Sequence, residues 1–260
     1  MLDKFTYTNH LGEVITFGSS PYFANSSDLR DYQWSYDETL TRFDRGTVTK
    51  TLEVIVVGTE EDANEKKDAL YEIFEKDVLA MKKGTFQVGE YKMNAFVYGS
   101  KKTDYLSSQK LLIVQLSVVT DTPQWRTEKT FEFPQDPSSP VGNPYLRRTI
   151  SNDSLWECGF RLKFYGPAPS PAWVKIDGHM YSVDVFIDLD EYLEIVSDGT
   201  TKTITLYKSD DTTEDCFAKR YRSESVFAKI SAGENIVECN NSFGFELTLL
   251  EERSEPKWTL

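Results

Sequence analysis

Hydrophobic and polar positions along the chain change their rhythm twice, and those changes predict most of its elements. Phe5-Thr6-Tyr7 and Val14-Ile15-Thr16-Phe17-Gly18 read as two short strands around the turn Asn9-His10-Leu11-Gly12. After a polar stretch, runs at 32–42 and 47–57 flank Phe43-Asp44-Arg45-Gly46, which predicts a hairpin with its turn at the glycine. Its outer part, 30–50, has few aliphatic side chains and cannot build a core of its own. A helix is expected over 60–83. Thr59 and Asp62 make a capping-box pair, and Glu60, Glu61 and Asp62 suit the positive end of its dipole. Lys82 and Lys83 suit the other end, and Gly84 supplies a left-handed stop. Leu70, Ile73, Phe74, Val78 and Met81 fall at helical spacing, so that stripe should lie on a sheet. Asp62–Lys66 and Glu72–Lys76 are spaced as i,i+4 pairs on the wet side.

The sheet is readable on both sides of the helix. Strands are expected at 52–57, 86–88, 91–98 and 111–119. Tyr91, Met93, Ala95 and Val97 alternate with polar residues, the period of a half-buried strand. Leu111 to Val114 is apolar on both faces, which predicts a central strand. From 121 to 144 five prolines (123, 134, 137, 140, 144) crowd the chain and predict an extended connector. Beyond it come only short β-type runs, at 160–165, 172–176, 180–187, 192–196, 202–207, 226–230, 235–239 and 243–250, divided by turn signals such as Asp177-Gly178 and Asp198-Gly199. Short strands without intervening helices predict an antiparallel sandwich. The expected fold is therefore mainly β: an α+β N-terminal domain with one long helix over 1–125, a proline-rich linker over 126–144, and a β-sandwich over 145–260.

Composition narrows the function classes. The 29 basic and 42 acidic side chains give a net charge of −13, which disfavours duplex nucleic acid and anionic membranes as partners. No apolar run approaches the roughly 18 residues that span a bilayer. Met1-Leu2-Asp3-Lys4-Phe5 enters a strand pattern directly, so no signal peptide is expected there. Cys158, Cys216 and Cys239 are read as reduced thiols, with a Cys158–Cys239 disulfide as the alternative. No zinc spacing, phosphate loop or dinucleotide fingerprint occurs.

Candidate chemistry is sparse. Asp184, Asp188, Asp190, Glu191 and Glu194 form the densest acidic cluster, yet strand alternation places them on a solvated face. His10 and His179 both sit in turn contexts, which leaves a serine or cysteine nucleophile without a base. No catalytic residue, cofactor or metal is expected. Trp34, Trp125, Trp156, Trp173 and Trp258 include possible platforms for sugars, although Trp156 and Trp173 lie in apolar runs that suggest core roles. A monomeric carbohydrate-binding, or glycan-cleaving, sandwich is thus the second class of function.

The order of elements, with several local stretches, resembles the distal tail (Dit) proteins of long-tailed phages with non-contractile tails. The stretches are Tyr32-Gln33-Trp34; the helix segment Leu70 to Val78 leading to Gly84; Phe164-Tyr165-Gly166-Pro167-Ala168 with Pro171; Ile176-Asp177-Gly178 with Tyr181; Glu191-Tyr192-Leu193 with Asp198; Phe227 to Asn235; and Phe243 to Thr248 with Glu251 to Pro256. The resemblance covers essentially the whole chain. It implies a homo-hexameric ring of N-terminal domains, with galectin-like C-terminal sandwiches, at the tip of the tail. Such a hub joins the tail tube protein and tape measure protein to a tail-associated tip protein and the receptor-binding device, and lets DNA pass without sequence-specific contact. It would be a virion component assembled in the host cytoplasm. The aliphatic-poor hairpin then becomes a device that clasps a neighbouring subunit, with Tyr32, Trp34, Tyr36, Arg42, Phe43 and Arg45 as candidate contacts.

Overall fold

The structure, a computed structural model, describes residues 4–59, 62–105, 111–135, 146–199 and 201–257. The chain divides into two compact units: residues 1–126 with 253–260, and residues 127–252. The division falls inside a strand, between Arg126 and Thr127. Residues expected as connector are strand as far as Phe133; the rest of that expected linker, beyond Gln135, lies outside the described residues.

In the first unit, β1 (Phe5–Thr8) pairs with β2 (Val14–Phe17) around the expected turn. β3 (Tyr22–Ser27), which its polar half concealed in the sequence, pairs with β6. The small pair β4 (Ser35–Tyr36) and β5 (Phe43–Asp44) precedes β6 (Val48–Val57). The helix α1 spans Ala63–Ala80, and β7 (Gly84–Val88), β8 (Tyr91–Tyr105) and β9 (Leu111–Thr120) follow. β8 bonds β7 through Tyr91–Ala95 and β9 from Phe96 onward, with irregularities at Val97/Gly99 and Lys102/Asp104 within the second pairing. Bulges are how a strand bends from one sheet into another. β9 lies between β6 and β8, the central place its doubly apolar start predicted.

The helix begins later and ends differently from expectation. The capping-box pair does form: Thr59 donates its amide to Asp62 Oδ1 at 2.7 Å, and Asp62 N–H donates to Thr59 Oγ1 at 3.3 Å. Glu60 and Glu61 lie outside the described residues. Leu70, Ile73 and Phe74 are buried as the stripe predicted, but Val78 is partly exposed and Met81 is 80% exposed. In the last turn the inward position belongs to Asp77, which is fully buried. Its carboxylate accepts from the Tyr7 hydroxyl at 2.5 Å and from the His10 amide at 2.8 Å, while His10 Nδ1 lies 2.5 Å away. Tyr7 in turn packs edge-on against Phe74 and Phe86, at 4.9 and 4.8 Å. A polar trio thus replaces the expected apolar end, because a buried carboxylate is tolerated only when donors surround it.

Met81, in the left-handed region at φ 53°, stops the helix, and Gly84 does not. Gly84 is needed for space instead. A Cβ there would lie 2.2 Å from Tyr7 Oη and 2.4 Å from Asp77 Oδ2. Lys76 reaches Glu13 at 2.7 Å, and Lys83 pairs with Asp121.

The second unit holds the later part of β10 (Trp125–Phe133), then β11 (Leu146–Asn152), β12 (Gly159–Tyr165), β13 (Ala172–Ile176), β14 (His179–Val183), β15 (Tyr192–Asp198), β16 (Thr201–Tyr207), β17 (Thr213–Asp215), β18 (Gly233–Cys239) and β19 (Phe245–Arg253). One sheet runs β17-β16-β15-β12-β19-β10 and the other β11-β18-β13-β14. Phe133 stacks on Phe245 at 4.4 Å, and Phe160 meets Tyr181 edge-on at 5.3 Å, so aromatic side chains fill the space between the sheets. This is the expected antiparallel sandwich.

Two expected strands differ. Residues 226–230 form turns, with Val226, Phe227 and Ile230 plugging the core and Ile230 bridged to Cys158. β14 ends at Val183, although Val185 and Ile187 beyond it stay buried. Burial without ladder bonds gives the same alternation in sequence. Trp156 and Trp173 are half-buried and only Trp125 is a core residue; Trp258 lies outside the described residues.

Three outcomes follow from these contacts. Gly84→Ala should lower the unfolding free energy in urea by about 1–3 kcal/mol through overpacking; a change under about 0.5 kcal/mol, the size of an ordinary surface substitution, would contradict the close approach. The Tyr7 phenol is pushed up from 10.0, first by burial and then by Asp77. Below pH 10 it is protonated folded and unfolded, so stability is unaffected; above it only the unfolded chain releases the proton, and stability falls as pH rises. Tyr7→Phe should flatten that alkaline decline. All three cysteines are free and buried, and burial pushes the Cys158 thiol up to about 12. A thiol reagent near neutral pH should therefore label denatured but not native protein.

Candidate functional site: the hairpin arm

The segment 30–50 does form a hairpin, though not around the expected turn. β4 pairs with β5 through Ser35↔Asp44 and Tyr36↔Phe43, so Phe43 and Asp44 are strand and the tip is 37–42. Gly46 misled the placement; Asp37 makes the turn. Its carboxylate accepts from Thr41 N at 2.8 Å, Arg42 N at 3.2 Å, Thr41 Oγ1 at 2.6 Å and Thr39 Oγ1 at 3.1 Å. Leu40 takes the left-handed conformation there, at φ 56°. An aspartate closing its own turn is a side-chain mimic of a backbone turn, legible from Asp37 and the threonines that follow. Those bonds hold the Asp37 carboxyl down to about 2, the Thr41 hydroxyl contributing most.

The structure places every candidate contact on this arm or at its base. Tyr36 is 66% and Phe43 57% exposed, and their rings lie 6.2 Å apart. Tyr32 and Leu40 are also exposed. Arg42 bonds Asp44 at 3.0 Å. The Arg45 guanidinium lies 4.0 Å over the Trp34 ring, a cation–π contact that fixes the lower arm. Among the described residues β4 and β5 pair only with each other. Two strands without a third, or a hydrophobic face covered by a helix, are marginal in water.

Sequence reasoning missed the anchor. Lys50 is buried, and its Nζ donates to the carbonyl of Asp28 at 3.1 Å and to that of Asp31. Burial pushes its ammonium down, and Asp28 and Asp31 oppose that. Asp28 also accepts from the Thr51 amide at 2.5 Å. Asp28, Trp34, Arg45, Lys50, Gln124 and Ser254 border a cleft of about 380 Å³ at the base of the arm. The arm is therefore a polar-tipped ribbon with exposed rings, tied at its root by a buried cation. Its exposed rings suit a protein surface. The histidines make long-range contacts: His10 faces Asp77, and His179, the first residue of β14, meets Ser225 O at 2.8 Å and Glu224 at 3.4 Å.

Asp37 predicts a pH response. Its folded-state pKa is depressed, so the tip bonds are present above the unfolded value and are lost only as pH falls through about 2. The Thr41 and Arg42 amides should stay protected from exchange at about pH 4, and Asp37→Ala should abolish that protection while the core keeps its own.

No protein-family model and no curated protein matches the chain by sequence. Its fold does match solved structures. SPP1 Dit, described as a paradigm of the hub adsorption apparatus in phages infecting Gram-positive bacteria, aligns with a TM-score of 0.58 at 11% identity, over 96% of this chain and 99% of that one. A chain of the phage P2 baseplate, in its activated conformation with calcium, aligns at 0.65 with 13% identity, over 98% and 100%. The strontium form of the p2 baseplate gives 0.66, again at 13%, over 97% and 99%. The chain thus shares its fold, end to end, with solved hub and baseplate proteins of phages.

Proposed function

We propose that this protein is a non-enzymatic hub of a phage tail tip, in which six copies close into a ring through their first units. The observation that carries this reading is the arm: a two-stranded ribbon with Tyr36 and Phe43 turned to solvent and, among the described residues, no third strand beside it. The end-to-end fold match to hub and baseplate proteins supports the setting. A ring needs heterologous contacts that close on themselves, and an arm that reaches the next copy supplies one. In this reading the ring meets the tail tube and tape measure proteins on one side and the tip and receptor-binding proteins on the other. A net charge of −13 suits walls past which DNA slides without being held.

The test is the mass of the assembly by light scattering, with partners added if the chain alone stays dilute. The intact chain should approach six copies. Deleting 31–46 should leave a folded monomer, and Tyr36→Asp with Phe43→Asp should weaken the ring at unchanged fold. Rings of full size from the deletion variant would refute the clasp.

A further inference from the structure

The second unit carries a surface cleft of its own. β13 and β14 pair through Trp173↔Ser182 and Lys175↔Met180. Ala172, Val174 and Ile176 point into the core, so Trp173 and Lys175 share the outer face of this sheet. Along the edge of β14 runs the segment 219–222, held by Tyr221 N–H to Ser182 O and by Asp184 N–H to Lys219 O, both 2.9 Å. Between that segment and the sheet lies a cleft of about 660 Å³.

Its walls combine two kinds of group. Trp173 is half-buried and Tyr221 exposed, so both present ring surface to the cleft. Lys219, Arg220 and Arg222 bring cations, against a single carboxylate, Asp184. The Lys175 ammonium stands 5.9 Å from the Trp173 ring centre. Lys219 is engaged with Glu214 at 2.5 Å and Arg220 with the Phe217 carbonyl at 2.6 Å. Neither Lys175 nor Arg222 makes an ion pair among the described residues. Free cations beside aromatic surface are unusual on a chain with 13 excess negative charges.

We propose that this cleft binds an anionic saccharide, a sugar bearing phosphate or carboxylate. The C–H faces of a sugar ring pack against Trp173 and Tyr221, which supply flat apolar area. The guanidinium fork of Arg222 matches the paired oxygens of a phosphate or carboxylate, and Lys175 adds a point charge. Asp184, which already accepts from Ser170 Oγ at 2.5 Å, retains acceptor capacity for a sugar hydroxyl. The inference concerns the second unit alone and stands whether or not the ring forms.

Saturation-transfer NMR on the full chain, with glucose 1-phosphate, glucuronate, glucose and inorganic phosphate as separate probes, tests it. Glucose 1-phosphate or glucuronate should bind about tenfold more tightly than glucose, and more weakly as salt rises. Trp173→Ala and Arg222→Glu should each reduce that affinity about tenfold; Tyr221→Ala, at an exposed position, serves if the tryptophan variant loses its fold. Four results overturn the proposal: no probe binds; glucose binds as well as the acidic sugars; inorganic phosphate binds as well as glucose 1-phosphate; or folded variants bind as the parent does.

Discussion

A pair of β-strands in water is held by too little buried area to fix its own shape, and the arm of this protein is such a pair. Its rings at Tyr36 and Phe43 lie open, and its tip is closed by one aspartate. It is tied at the root, where the buried Lys50 ammonium holds the backbone at Asp28 and Asp31. A charge buried on these terms is costly unless its donors are used, so the root is a specific lock and not a general adhesive. Everything proposed for the assembly depends on that asymmetry: a fixed base and an unsatisfied outer half. An arm free at both ends would have more conformational entropy to lose on binding.

The helix-bearing unit shows how a single polar choice governs its surroundings. Asp77 takes the place of a core hydrophobe in the last turn of α1, and Tyr7 and His10 are turned toward it. The same arrangement excludes a side chain at position 84. Leu79, 84% exposed, and Met81 are thereby left on the outside of the helix end.

Much of this was legible in the sequence. Alternation located β6, β8, β9 and most sandwich strands, because one buried face imposes period two whatever the partner. The capping pair Thr59–Asp62 was readable, since its bonds are local. The misses share a cause. Val78 and Met81 fit the helical period, yet long-range contacts to Tyr7 and His10 gave the inward position to Asp77. Gly46 looked like the turn of the arm, and it outweighed the local signal of Asp37 followed by Thr39 and Thr41, whose side-chain bonds form the turn. Residues 226–230 and 185–187 carry buried apolar side chains like strands but make only single bridges, Ile230 with Cys158 and Ile187 with Ala168. β10 and β11 flank a proline-rich stretch whose prolines masked the strands on either side. At the candidate site, the six predicted contacts all fall on the arm, and Lys50 was overlooked because a lysine in a strand reads as solvated.

Fold and role remain separate claims, since one architecture serves many functions. The chain shares its fold with solved hub and baseplate proteins; the arm is what argues for a ring. The most direct measurement puts a photo-crosslinking amino acid at position 43 and irradiates assembled tail tips. If the arm grips the next copy, the products form a ladder of this chain alone, ending at six. Crosslinks confined to one chain, or running only to a different protein, would contradict the account.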